Sequence, residues 1–314
     1  METTIAVQAL TKRPQSLFFY APETRTLDVD RLKSSLAEVL DSHDFWGGRL
    51  RFNENGRMEI DCSNQGTFFT FATSDLGMDQ VTADDSDDFF SFDDDMIKTL
   101  EDLPLLRIQV LTHMLGDNGY AISILFHHAL VDATSGINFL LNLASINRGD
   151  GLYMVPNGDR TQLKFRDPPQ WIQETSWIRH WVKTSVAMRS IQHTELTLMD
   201  ICKLPLSSVV AQVQEAKTRV TDEYVRSGRD FLHLNPNCWY RRCEMVINAW
   251  PRLMQKSLEL DFGWGKQSRV EFSLDPRSSV IAFLPFSWDG ILVSVSANGI
   301  ALGIFEDAIA QFHK

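Results

Sequence analysis

From Tyr120 to His128 the residues alternate, with Tyr120, Ile122, Ile124 and Phe126 on one side and Ala121, Ser123, Leu125 and His127 on the other. A period of two is the signature of a β-strand. It sends the adjacent His127 and His128 to opposite faces, so at most one of them serves any single site. Leu105–His113 reads as a second strand, joined to the first by the turn residues Gly116-Asp117-Asn118-Gly119 as a long hairpin. After a short loop, Ile137, Leu140, Leu141 and Ala144 fall at helical spacing, and Arg148-Gly149-Asp150-Gly151 stops that helix. A strand that ends in two titratable rings and turns into a helix points to layered α/β architecture.

The flanking sequence extends the pattern. Leu17–Tyr20 is a short β-prone run, and Leu32, Leu36, Val39 and Leu40 mark a helix capped by Asp28 or Asp30. Asn53-Glu54-Asn55-Gly56 separates Arg49–Phe52 from Arg57–Asp61 as a tight hairpin. The stretch from Asp150 to Gln173, with Pro156, Pro168 and Pro169, reads as a linker. Beyond it, Leu206, Val209, Val210, Val213, Val220 and Tyr224 predict one helix that starts after Pro205 and ends near Gly228. Strands follow at Cys243–Ala249, Arg269–Ser273, Val280–Leu284 and Leu292–Ala297, and a short helix at Ile304–Phe312. No internal repeat is visible.

Composition narrows the function. The 314 residues are 44% hydrophobic, enough to build substantial cores, and a length of that order suggests two domains. A formal net charge of −11 argues against nucleic acid and anionic membranes as partners, while a few local Lys or Arg residues could still receive a small anion such as coenzyme A. The N-terminal residues lack the apolar stretch of a secretory signal and no run is long enough to span a membrane, so a cytoplasmic protein is expected. Cys62, Cys202, Cys238 and Cys243 are sparse and unevenly spaced, as reduced thiols are. His233, Cys238 and Cys243 lack the tight pairs of a zinc site, and the nine acidic residues between Asp84 and Asp102 lack the looped pattern of a calcium site. No metal is expected.

Two strings carry chemistry. In His128-Ala129-Leu130-Val131-Asp132 a histidine at a strand end has the near-neutral pKa needed to take a proton from a hydroxyl or amine, and Asp132 is placed to orient or anchor the loop. Taken alone, H-x-x-x-D arises by chance about half a time in a chain like this. Asp261-Phe262-Gly263-Trp264-Gly265 has a chance expectation of roughly one in ten thousand, and two glycines around a Trp suggest a tight turn that seats a large ring. Asp-Phe-Gly also occurs in protein kinases, but the glycine-rich loop, the Val-Ala-Ile-Lys strand and the His-Arg-Asp loop are all missing.

His-x-x-x-Asp at a strand end, followed far downstream by Asp-Phe-Gly-Trp-Gly, resembles the BAHD family of acyl-CoA-dependent acyltransferases. Further similarity runs through Leu27–Leu40, Gly48-Arg49-Leu50, Gly56–Cys62, Leu103–Leu106, Leu204-Pro205-Leu206 and Asn248–Leu253. The tandem His127-His128 also resembles the condensation domains of nonribosomal peptide synthetases, but Ala133 replaces the glycine of their motif and those domains work with partner domains that this chain lacks.

The BAHD resemblance implies a two-domain fold like that of chloramphenicol acetyltransferase. The expected division is 1–165 as the domain carrying H-x-x-x-D, 166–200 as a shortened crossover, and 201–314 as the domain carrying Asp-Phe-Gly-Trp-Gly. It further implies transfer of an acyl group from acyl-CoA, as co-substrate, to a hydroxyl or amine of a small-molecule acceptor, by a monomer without a permanently bound cofactor. His128 would be the general base and Asp132 its loop support, catalytic together; Asp261, Phe262, Gly263, Trp264 and Gly265 would serve structure. Asp132 and Asp261 are 129 residues apart, a shorter stretch than the family usually carries, and the Ala-x-x-Trp-Arg helix is not found. An incomplete second domain is therefore expected, with Trp171, Trp177 and Trp181 on a replacement helix or an exposed surface. The alternative function is a catalytically inactive, truncated relative that binds acyl-CoA or a partner.

Overall fold

In a computed structural model the described residues are 16–20, 27–54, 56, 58–77, 80, 99–113, 119–127, 130–157, 164–170, 205–218, 220–235, 246–252, 255–272, 280–285 and 290–296. They belong to two compact units, one formed by 1–156 with 245–314 and the other by 157–244.

The first unit is built on a five-stranded sheet. Its members are β1 (Ser16–Tyr20), β4 (Phe68–Ser74), β5 (Leu106–His113), β6 (Tyr120–Phe126) and β8 (Arg269–Phe272), in the order β4-β5-β6-β1-β8. β1 lies antiparallel to both β6 and β8, with Tyr20 opposite Tyr120 and Phe18 opposite Ile122. β4 pairs parallel to β5, so the hairpin of β5 and β6 is flanked by strands from far along the chain on either side. A two-stranded ribbon of β2 (Arg49–Phe52) and β3 (Met58–Asp61) and a three-stranded sheet of β7 (Val246–Ala249), β9 (Val280–Pro285) and β10 (Ile291–Ser296) complete the β structure.

Two helices cover one face of the large sheet. α1 (Val29–Asp41) is capped by Asp28, whose carboxylate accepts from the Arg31 amide at 2.8 Å, and it buries Leu32, Leu36 and Val39 as the 3.6-residue period requires. α2 (Ala133–Arg148) ends at Gly149, which takes the left-handed conformation at φ 91° that a residue with a Cβ avoids. Along β5 and β6 the even-numbered Ile108, Val110, Ile122 and Ile124 meet Phe139, Leu140 and Leu143 in one apolar core, which also takes in Phe262, Trp264, Ala282 and Leu284. The other face of the same strands buries Arg107, Gln109, Ser123 and His127.

The second unit contains α3 (Leu206–Thr218) and α4 (Asp222–Leu234). Here the single helix expected from Leu206 to near Gly228 is corrected to two. Thr221 interrupts it, with an extended backbone and a hydroxyl that accepts from the Tyr224 amide at 3.1 Å, and Asp222 and Glu223 follow in the first turn. Gly228 lies inside α4 instead of at its end. The segment 164–170 is clasped to α4: the buried Asp230 carboxylate accepts from the backbone amides of Arg166 and Gln170, both at 2.8 Å, and from Arg166 Nε at 2.6 Å. The Phe165 and His233 rings stack 3.3 Å apart.

The helix expected at Ile304–Phe312, the acidic run up to Lys98, the residues of the Gly116–Asn118 turn, the tryptophans 171, 177 and 181, and Cys202, Cys238 and Cys243 lie outside the described residues. Among the described residues no helix is long and apolar enough to cross a membrane, and no group of three or more potential ligands could hold a metal ion.

Candidate active site

β6 runs into the H-x-x-x-D string and α2 runs out of it. His127 is only 4% exposed, and its amide donates to the Leu105 carbonyl at 2.8 Å, which prolongs the strand pairing to the very end of β6. The alternation puts its side chain on the face of Ser123 and Leu125, away from the core that Phe126 joins. His128 lies outside the described residues. Asp132 is exposed and acts as the cap of α2: its Oδ1 accepts from the Ser135 amide at 2.8 Å and its carbonyl accepts from the Gly136 amide at 3.0 Å. The stretch between His127 and Asp132 is therefore pinned at both ends, by a sheet hydrogen bond and by a helix cap, while the Leu130 amide bonds back to the His127 carbonyl at 2.9 Å.

The Asp-Phe-Gly-Trp-Gly string forms a closed turn. Asp261 Oδ1 accepts from the amides of Gly263 and Gly265, at 2.7 and 3.1 Å, and an isolated bridge joins Asp261 to Lys266. Gly263 sits at φ 97° and Gly265 at φ 105°, and a Cβ on Gly263 would come within 3.3 Å of Arg148 Cγ. The turn delivers Phe262 and Trp264, stacked 5.4 Å apart, onto the paired tyrosines at the adjoining ends of β1 and β6. Tyr20 and Tyr120 stack 4.9 Å apart, and Trp264 meets Tyr120 edge-on at 5.6 Å. Burial, followed by the neighbouring Tyr120 and Asp261, pushes the Tyr20 phenol well above its ordinary value, so it stays neutral.

Asp132 and the Asp-Phe-Gly-Trp-Gly turn lie at opposite ends of α2. α2 has 16 residues and β6 has seven, about 24 Å and 23 Å long respectively, and the helix returns along the strand. Asp132 caps its start. At its end, the buried Asn147 donates to the Phe262 carbonyl at 2.7 Å, and Arg148 donates to the Asp261 carbonyl. Arg31 of α1 donates to the carbonyls of Ile146 and Asn147 at 2.6 and 3.2 Å, and the Ser35 hydroxyl donates to Asn147 Oδ1 at 3.0 Å. Neither Asn147 nor Arg31 belongs to a sequence motif, and only the fold brings them to the turn. A further clasp holds Met154, whose amide and carbonyl both bond to the Asn142 side chain at 2.8 and 2.9 Å.

Burial lowers the pKa of His43, a ring on the core side beneath α2. Its Nδ1 donates to the Val39 carbonyl at 3.0 Å and it meets Phe139 edge-on at 5.4 Å.

Residues 9–194, more than half of the chain, match the family model described as Transferase family. Acyltransferase GLAUCE of Arabidopsis thaliana is 25% identical over 287 residues, which are 88% of this chain and 60% of that protein. Taxadien-5-alpha-ol O-acetyltransferase of Taxus chinensis is 29% identical over 216 residues, 62% of this chain and 49% of its own length. This chain thus spans about half to three-fifths of these curated relatives. The F. sporotrichioides TRI101 structure, complexed with coenzyme A and T-2, superposes with a TM-score of 0.62 at 15% identity, covering 96% of this chain and 95% of that one. At that identity the likeness speaks for the fold, which is the chloramphenicol acetyltransferase-like fold of these acyltransferases. With H-x-x-x-D at the strand-to-helix junction, the Asp-Phe-Gly-Trp-Gly turn at the far end of the same helix and the family model over residues 9–194, the chain belongs to the transferase family of BAHD acyltransferases.

Proposed function

We propose that this chain transfers an acyl group from acyl-CoA to a hydroxyl or amine of a small-molecule acceptor, with His128 as general base. The observation that carries the reading is the state of the other two titratable groups of the string. His127 is buried beside the sheet, and the Asp132 carboxylate is engaged in capping α2. Both observations support reading His128, four residues before the cap, as the group that moves the proton. In the reaction, the acceptor's proton passes to the imidazole as its oxygen or nitrogen bonds to the thioester carbonyl carbon. The tetrahedral intermediate then collapses with cleavage of the carbon–sulfur bond, and the imidazolium returns the proton to the departing thiolate.

The family supports this reading, as do relatives whose names include an O-acetyltransferase and a neighbour solved with coenzyme A. Asp132 then has a positioning role, and Asp261 to Gly265 a structural one at the end of α2 opposite Asp132. We assign 1–165 to the domain carrying H-x-x-x-D and proton transfer, 166–200 to a shortened crossover and 201–314 to the domain carrying Asp-Phe-Gly-Trp-Gly, in a cytoplasmic enzyme without a resident cofactor.

The test is release of free thiol by the purified protein from acetyl-, malonyl- and hydroxycinnamoyl-CoA with pooled alcohols and amines. The expected result is turnover that His128→Ala abolishes while the circular dichroism spectrum is unchanged. Full turnover by His128→Ala would overturn the mechanism. The second reading is a catalytically silent chain that binds acyl-CoA or a partner. It predicts no thiol release in any pairing, together with thermal stabilisation by coenzyme A.

A further inference from the structure

Three aromatic rings from separate stretches of chain meet at the end of β6. Phe126, the last residue of that strand, has its ring centroid 5.2 Å from that of Trp46 and 5.8 Å from that of Phe139, and Trp46 and Phe139 are 5.7 Å apart. Phe139 meets both of the others edge-on, an arrangement that ring quadrupoles favour. Trp46 and Phe139 are buried, whereas Phe126 is half-buried.

Both flanking rings are held by backbone. Trp46 belongs to the 3₁₀ turn Asp44–Gly47. The Gly66 amide donates to the Gly47 carbonyl at 3.0 Å, and a Cβ on Gly48 would come within 2.5 Å of the Asp61 carbonyl oxygen, so the turn is pressed onto the end of β3. Phe139 lies on α2, whose start is fixed by the Asp132 cap. Gly136, in the first turn of the same helix, closes a third side: a Cβ there would lie 3.4 Å from Phe126 Cε2, already in contact, so a longer or branched side chain would press on the ring. Glycine within a helix is disfavoured against alanine, and here it leaves that ring its room.

Phe126 and His128 are two positions apart, the spacing that shares one face of a strand. The backbone around them is set by the bonds from the His127 amide to the Leu105 carbonyl and from the Leu130 amide to the His127 carbonyl. A fixed backbone still leaves an imidazole its staggered rotamers. We propose that Phe126, boxed by Trp46 and Phe139, is a positioning residue for His128: its half-buried ring is the wall that selects the imidazole rotamer from which the proton is moved. This role rests on His128 as the general base proposed above. Misplacing a reacting group by about 1 Å can cost on the order of a hundredfold in rate, so loss of the ring falls on kcat, while KM, which the rotamer of the base leaves alone, stays as it was.

The test compares kcat and KM of the full chain with those of Phe126→Leu, Phe126→Tyr and Ile124→Val, by thiol release from a productive pair of acyl-CoA and acceptor. Phe126→Leu is expected to lose about tenfold or more in kcat with KM within about twofold, and Phe126→Tyr, which keeps the ring, to regain most of the rate. Ile124→Val trims a buried side chain on the same face of the same strand and is expected to keep its kcat. Wild-type kcat in Phe126→Leu overturns the proposal, as does a Phe126→Tyr no faster than Phe126→Leu. An equal loss in Ile124→Val also overturns it, because the effect is then one of general packing. In parallel, nuclear Overhauser contacts are measured in the wild type between the Phe126 ring and the His128 imidazole, identified by the resonances lost in His128→Ala. A contact is expected, and its absence overturns the proposal even where Phe126→Leu fails to fold. If the wild type releases no thiol, the general-base reading fails, and the contact then decides alone whether Phe126 holds His128.

Discussion

The side chain of Asn147 joins two parts of the chain that are far apart in sequence: it donates to the Phe262 carbonyl oxygen at 2.7 Å and accepts from the Ser35 hydroxyl at 3.0 Å. Asn147→Ala leaves both partners without it in a buried setting, and is expected to cost about 2 kcal/mol. Asn147→Asp keeps the acceptor but turns a carboxylate toward the Phe262 carbonyl, so it is expected to cost more than alanine does. Urea midpoints measured at constant slope check the order, and an aspartate variant as stable as the wild type would contradict the donor role.

Asp132 offers a separation of cap from charge. Asparagine caps about as well as aspartate, whereas alanine loses about 1 kcal/mol of helix stability. Asp132→Asn is therefore expected to melt like the wild type and to retain thiol release, and Asp132→Ala to lose both stability and rate. If Asp132→Asn is as slow as Asp132→Ala while melting normally, the carboxylate's charge has a role beyond the cap.

Gly263 stands where φ is 97° and where a Cβ meets Arg148. Gly263→Ala is expected to destabilise by about 1–3 kcal/mol through left-handed strain, plus whatever displacement of Arg148 adds. Loss of near-ultraviolet dichroism from the Tyr20, Tyr120 and Trp264 cluster at moderate temperature, before the far-ultraviolet signal changes, checks that the turn is what fails.

Two groups set different acid limits. Burial holds the His43 imidazole below its ordinary value of 6.5, so the unfolded chain binds the proton more readily than the folded one. His43 therefore opposes unfolding least at acid pH: stability is full above about 6.5 and falls as pH drops below it. For Asp230, burial works against ionisation, but the amides of Arg166 and Gln170 and the Arg166 guanidinium outweigh it and bring the carboxyl below its ordinary 3.8. Its contribution is complete above 3.8 and is lost only as pH falls through the lowered value. His43→Phe is expected to flatten the fall in stability below about pH 6.5, and Asp230→Asn to leave that limb intact while loosening segment 164–170 to proteolysis.

Local patterns made most elements of the first unit legible: the Asp28 cap, the hairpin at Asn53–Gly56, the alternation in β6 and the Gly149 stop are all written within a few residues of where they act. β4 has no sequence signature because Phe68–Ser74, a parallel edge strand, reads Phe-Phe-Thr-Phe-Ala-Thr-Ser without alternating apolar and polar residues. The break at Thr221 escaped because a β-branched cap inside a continuous apolar period resembles a helical residue until its backbone is seen to be extended. The motif strings were visible, but the bond that ties them, from Asn147 to a backbone carbonyl, has no sequence signature at all. A carbonyl is the same in every residue, and only the packing of α1 on α2 selects the asparagine that reaches it.

β1 has one neighbour at 120–126 and its other at 269–272. A ribosome adds about 5–20 residues each second, so the segment from Tyr20 to Arg269 takes on the order of tens of seconds to emerge. Throughout that interval one side of β1 has no native partner to receive its hydrogen bonds. The first sheet, although four of its five strands lie before residue 127, becomes complete only once 269–272 have been made. Misassociation through that open side of β1 is therefore favoured by any slowing of elongation between Tyr20 and Arg269.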